Sequence, residues 1–146
     1  MPQEELKATS LGIYTPLFNE FLSSSDTLRV YKDEKLLFSS NKERLLPLLD
    51  YIHRLAPYHQ RVVIFDKIMG NAAALLSVKA GCQEVHSPLG SQLAIKTLDR
   101  HNIKYHLSEI TPYIQKPGGE DMCPMEELSL NKGPEEFYEV ITNTIK

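Results

Sequence analysis

Four consecutive residues, Val62-Val63-Ile64-Phe65, constrain this chain more than any other feature. A run that is apolar at every position and mostly β-branched does not suit a strand with one wet face. It reads as a central strand covered on both sides. Asp66-Lys67 ends the run, and from Asn71 the small residues Ala72, Ala73 and Ala74 lead into Leu75, Leu76 and Val78. That pattern predicts a helix lying close against a sheet, with Gly81 supplying a left-handed C-terminal cap. A buried strand followed by a close-packed helix is the start of a crossover unit, so a layered α/β domain is expected.

The remaining segments fill in that domain. Thr27-Leu28-Arg29-Val30-Tyr31-Lys32 alternates, turns at Asp33-Glu34 and returns through Lys35 to Ser39, which predicts a β-hairpin. Pro47 suits a first helical turn, and Leu48, Leu49, Ile52, Leu55 and Ala56 follow at helical spacing until Pro57. Glu84-Val85-His86 reads as a short strand, Ser87-Pro88 as the opening of a helix with Leu93, Ala94, Ile95 and Leu98 on its apolar face. Ile103, Tyr105 and Leu107 alternate as another strand, and Gly133-Pro134 begins a last amphipathic helix through Phe137, Val140, Ile141 and Ile145. Tyr14, Leu17, Phe18, Phe21 and Leu22 mark a helical face that ends at Ser23-Ser24-Ser25. Residues 1–25 are thus expected as an N-terminal helical extension ahead of a domain at 26–146. The predicted architecture is a three-layer α/β/α sandwich, its mixed sheet combining an N-terminal hairpin with right-handed parallel crossovers. A chain of 146 residues is long enough to bury such a core.

Charge and hydropathy remove several functions. The net charge is −3, and the 16 lysines and arginines are scattered, so no basic footprint for a phosphate backbone exists and nucleic acid is not expected as a partner. No run of eighteen apolar residues occurs, and no basic segment precedes an apolar one at the start, so neither a membrane span nor secretion is expected. The expected location is cytoplasmic, with Cys82 and Cys123 as reduced thiols. Association into a homo-oligomer stays open, and no cofactor is expected.

The helical and strand patterns fade between Ser108 and Glu127, a span that holds Pro112, Pro117, Gly118, Gly119 and the stretch Asp121-Met122-Cys123-Pro124-Met125-Glu126-Glu127-Leu128. Loops this long are often functional. With Cys123 as N-cap, Pro124 takes the first helical position and Glu126 the third, imitating a capping box with sulfur in place of a hydroxyl. Unpaired backbone N–H groups and the positive end of a helix would favour the thiolate, making Cys123 a candidate nucleophile. The alternative is a small buried hydrophobe in a turn. Asp66 and Lys67 follow the central strand at its carboxyl end, where open α/β sheets bind ligands, and can position a polar ligand and tune the thiol. A solvated turn or helix cap is their plainer role. Gly70 and Asn71 can offer main-chain donors to a ligand, or simply cap the helix. Glu126 is a candidate ligand contact or general base, with capping as the alternative. His86 and His106 fall on neighbouring strands and can be combined with Cys123 on paper, but their spacing follows no recognised ligand pattern. No metal site is expected.

Val30-Tyr31-Lys32-Asp33, Pro47-Leu48-Leu49, Asp66-Lys67 with Ala72-Ala73-Ala74-Leu75-Leu76, and Cys123-Pro124-Met125-Glu126 together resemble a prokaryotic family of unknown function with a cytidine-deaminase-like fold. The resemblance spans roughly residues 26–145. It implies a fold, and by analogy a nucleoside- or nucleotide-like ligand, but no activity. A zinc deaminase needs one His or Cys, two further Cys and a proton-shuttling glutamate at two helix starts. Here those places hold Gly70-Asn71-Ala72-Ala73 and Ser87-Pro88-Leu89-Gly90, while Cys82-Gln83-Glu84 stands at the wrong end of its helix. The expectation is a metal-independent enzyme acting on a small molecule through Cys123; the alternatives are a non-catalytic small-molecule-binding or regulatory module, or a scaffold.

Overall fold

The computed structural model describes residues 3–119 and 121–145, with side chains described from residue 12 to residue 144 except at residue 120. Strands β1 (Leu28–Lys32) and β2 (Lys35–Ser40) form the hairpin. Asp33 and Glu34 both take positive φ, 50° and 66°, as a two-residue turn needs if its twist is to match the strands. β1 pairs antiparallel with β3 (Val62–Asp66), β3 pairs parallel with β4 (Cys82–Ser91), and β4 pairs parallel with β5 (Lys104–Thr111). The sheet order is β2-β1-β3-β4-β5. Helix α1 spans Gln3–Ser23, α2 Leu46–Arg54, α3 Asn71–Lys79, α4 Gln92–Arg100, α5 Pro124–Ser129 and α6 Pro134–Ile145. The chain is therefore an α/β fold with a mixed five-stranded sheet, an N-terminal hairpin and parallel crossovers through α3 and α4.

The apolar run of β3 is explained by what covers it. Val62 and Ile64 belong to the larger core, with Leu48 and Tyr51 of α2, Ala72 to Leu76 of α3, Ala94 and Leu98 of α4, and Phe137 and Ile141 of α6. Val63 and Phe65 point the other way, into a second cluster with Tyr14 and Phe21 of α1 and Tyr31 of β1. Successive strand residues face opposite sides, so a strand between two layers must be apolar throughout. Phe21 and Phe65 are fully buried, each contributing about 1.5–3 kcal/mol by loss of apolar surface from water. Helix α1, read from sequence as an extension, thus supplies the second layer, although Leu22 on its predicted face is 41% exposed.

Two boundaries differ from the sequence reading. β4 does not stop at His86 but runs on through Pro88 to Ser91, where the Ser91 hydroxyl caps α4 by accepting from the Ala94 N–H at 3.1 Å. The ladder with β5 passes from Ser87–Leu107 to Leu89–Glu109 and skips Pro88, a residue with no N–H to offer it. β5 likewise continues to Thr111, shortening the irregular segment to 112–123. Gly81, at φ +82°, follows α3 as expected. Among the described residues, no helix is long and apolar enough to cross a membrane.

Candidate functional site

The N-cap of α3 is Gly70, which has no side chain with which to cap. The missing acceptor comes from far along the chain. The buried carboxylate of Glu126 accepts the Asn71 N–H at 2.5 Å through Oε1 and the Ile114 N–H at 2.9 Å through Oε2. An anion at a helix N-terminus is favourable both for the free N–H and for the helix dipole. Glycine lets the carboxylate come this close: a Cβ at position 70 would lie 2.7 Å from Ile114 Cγ1 and 2.9 Å from Glu126 Oε1, so both side chains would have to shift. The Asn71 side chain extends the clasp. Its Nδ2 donates to Ser129 Oγ at 2.9 Å, its Oδ1 accepts from the Thr97 hydroxyl, and Ser129 Oγ donates to the Glu126 carbonyl at 2.6 Å. Helices α3, α4 and α5 are thereby joined by one satisfied polar network.

The same carboxylate fixes the loop after β5. The Cys123 N–H donates to the Ile114 carbonyl and the Lys116 N–H to the Asp121 carbonyl, both at 2.8 Å, so residues 114–116 and 121–123 run back on each other as a small ribbon. This ribbon forms one wall of an open groove of about 670 Å³ lined by Ile68, Leu89, Thr111 to Lys116, Gly118 and Gly119. The groove lies beyond the carboxyl ends of the three parallel strands, the usual ligand position in an open α/β sheet. Its volume falls within the range of small-molecule pockets, roughly 300–1,000 Å³.

The sequence-predicted residues are distributed differently from expectation. Gly70, Asn71 and Glu126 do meet, but as one another's partners, and the Asn71 N–H is occupied by Glu126. The expected capping box around Cys123 is absent: its sulfur makes no cap hydrogen bond, and Glu126 turns toward α3 instead of back to the Cys123 N–H. Cys123 is a half-buried free thiol preceding the six-residue α5. Asp66 and Lys67 separate because neighbouring residues at a strand end face opposite sides. Lys67 Nζ donates to the Ser24 carbonyl at 3.0 Å, at the end of α1, and sits 4.7 Å from the centre of the Phe21 ring. Burial pushes the Asp66 carboxyl up to about 7, only partly offset by the Ile68 and Lys67 N–H groups. None of Asp66, Lys67 and Cys123 lines the groove; the residue after the pair, Ile68, does. Burial also pushes the Cys82 thiol up to about 12, in keeping with a packing role.

A second polar cluster lies on the α1 side of the sheet. His86 of β4 and His106 of β5 are register partners, and Glu84, two residues before His86, shares their face. Glu84 Oε2 is 2.5 Å from His86 Nε2 and 3.9 Å from His106 Nε2. The imidazole centroids are 4.6 Å apart, and His86 packs against Phe65, Phe18 and Tyr14. A groove of about 430 Å³ between α1 and β5 opens onto both histidines. The two histidines were visible in the sequence, but their third partner is Glu84 and not Cys123, which precedes α5 over α3 on the opposite face. An acid and a histidine two apart on one strand, with a histidine on the next, was the available signal.

The residues at the start of α3 and at the middle of β4 are engaged within the protein: the Asn71 side chain is held by Ser129 and Thr97, and the Ser87 hydroxyl donates to the Leu89 carbonyl at 2.8 Å.

No curated protein matches the chain. A solved structure, that of a DUF1893 family protein (TM1506) from Thermotoga maritima, is similar with a TM-score of 0.75 and 23% identity, covering 99% of this chain and 92% of that one. At that identity the likeness establishes the fold. The family described as a domain of unknown function (DUF1893), TM1506, matches residues 18–145, and this chain belongs to it.

Proposed function

We propose that the protein is a small-molecule-binding module whose ligand occupies the groove beyond the carboxyl ends of β3, β4 and β5. The observation that carries this reading is the clasp: a buried carboxylate, a glycine cradle and two helices are committed to holding one loop as a wall. Fixing a long loop costs conformational entropy, and preorganised walls are what binding sites need. Apolar Ile68, Leu89 and Ile114 beside Lys116 suit a flat ring carrying an anionic group. A nucleotide-like ligand has that chemistry, in line with the cytidine-deaminase-like resemblance. The test is thermal unfolding against a panel of nucleosides and nucleotides. A ligand at about 100 times its Kd adds about 2.7 kcal/mol, or roughly 5–10 °C for a chain of this size. Ile68→Asp, at an exposed groove position, should abolish the rise, whereas Cys123→Ala should retain it. No stabilising ligand, or a rise that ignores Ile68→Asp, overturns the reading.

A second reading makes the module an enzyme acting through Cys123, and it draws on the backbone bond that ties Cys123, a half-buried free cysteine, to groove-lining Ile114. Iodoacetamide should then label Cys123 at pH 7 faster than it labels the unfolded chain, and the stabilising ligand should slow the labelling. Sluggish labelling that no ligand alters leaves only the binding module.

A further inference from the structure

We infer that Glu84, His86 and His106 form a binding site for a first-row divalent transition metal of the zinc class, separate from the groove proposed above. Two imidazoles and one carboxylate are a donor set suited to zinc or iron(II), and each residue can present one ligand atom with all three atoms within 4.8 Å of one another. The placement is built in by the sheet. β4 and β5 hold the histidines in register, and the two-residue strand period puts Glu84 on the same face. Around a tetrahedral ion with bonds of about 2.0–2.1 Å, ligand atoms stand about 3.3 Å apart. The present separations from Glu84 Oε2, 2.5 Å to His86 and 3.9 Å to His106, bracket that value, so a carboxylate movement of under about 1 Å equalises them.

The surroundings support an ion rather than a plain polar contact. His86 and Glu84 are almost fully buried, and the aromatic rings of Phe65, Phe18 and Tyr14 stand around His86. Burial of these side chains lowers the local dielectric and strengthens attraction between a cation and the carboxylate. Three protein ligands leave a coordination position open, and the neighbouring groove is rimmed by Thr15, Asn19 and Ser108, polar groups suited to water or an oxygen-donor ligand. A divalent ion against one carboxylate leaves a net positive charge there, favouring an anionic occupant.

The test uses the full chain, stripped with a chelator and titrated with Co²⁺ by visible absorption and with Zn²⁺ by calorimetry. The expected result is one equivalent bound, with a tetrahedral Co²⁺ spectrum that lacks thiolate charge transfer. His106→Gln and Glu84→Gln each remove a direct ligand and should weaken binding by at least the roughly 10–100-fold that loss of an outer-shell partner costs, whereas Cys123→Ser should leave it unchanged. Circular dichroism checks that each variant is folded, and nitrogen-15 shifts of both imidazoles during zinc titration of the wild type provide a readout needing no variant. Absence of stoichiometric binding to folded wild type, a thiolate band, or wild-type affinity in folded His106→Gln overturns the site. Because the two grooves share no residue, ligand binding at Ile68 can fail while metal binding holds, or the reverse.

Discussion

Replacing Glu126 by Gln removes almost no volume and keeps the helix former, but leaves one acceptor oxygen where two backbone N–H groups now point at 2.5 and 2.9 Å. The amide NH₂ must face one of them, donor against donor. A hydrogen bond to a charged group contributes about 1.5–3 kcal/mol, and a buried N–H left unsatisfied costs about 1–3 kcal/mol. These describe overlapping losses, so the expected destabilisation is about 2–4 kcal/mol. With urea m-values of about 1–3 kcal/mol/M, the midpoint should fall by on the order of 1–2 M. The exposed neighbour Glu127→Gln is the control and should stay within about 0.5 kcal/mol. Hydrogen exchange locates the effect, because the Asn71 and Ile114 amides should lose protection before the strands of the core do. A loss below about 0.5 kcal/mol, with both amides still protected, would show that Glu126 does not hold the loop.

Further outcomes follow from the same geometry. Gly70→Ala forces Ile114 and Glu126 away by several tenths of an ångström and should cost about 1–3 kcal/mol by overpacking, measured by urea unfolding. Asp66 has its folded pKa raised from 3.8 to about 7, so the folded state binds the extra proton and stability falls as pH rises between about 4 and 7. Asp66→Asn should therefore stabilise the protein at pH 8 by about 2–4 kcal/mol and flatten that part of the stability profile. Lys67→Met removes the cation from the Ser24 carbonyl and the Phe21 ring and should cost about 0.5–1.5 kcal/mol, with greater exchange at the end of α1.

The parts of the fold that were legible in the sequence are those governed by local pattern. The hairpin showed in alternation around Asp33-Glu34, the central strand in an unbroken apolar run, and the end of α3 in Gly81. The start of α4 was misplaced because Ser87-Pro88 has the local chemistry of a helix opening, while pairing with β5 extends β4 to Ser91. Tertiary pairing outweighed local preference there. The site was less legible, since its connections are not local. Glu126 shows three-residue spacing from Cys123, yet its partners are Asn71, 55 residues away, and Ile114. Asp66-Lys67 reads as a pair because the two residues adjoin in sequence, but Lys67 reaches the Ser24 carbonyl at the end of α1 while the buried Asp66 carboxylate accepts the Ile68 N–H. Glu84 stands two residues before His86 in the sequence, but it is the register of β4 and β5 that sets His106 beside them.

Backbone NMR shift mapping with the most stabilising nucleotide addresses the binding groove most directly. The predicted result is a set of saturable shifts at the amides of Ile68, Leu89 and Tyr113 to Lys116, lost in Ile68→Asp. Shifts that cluster elsewhere at saturation, or none at all, would contradict a ligand site at the carboxyl edge of the sheet.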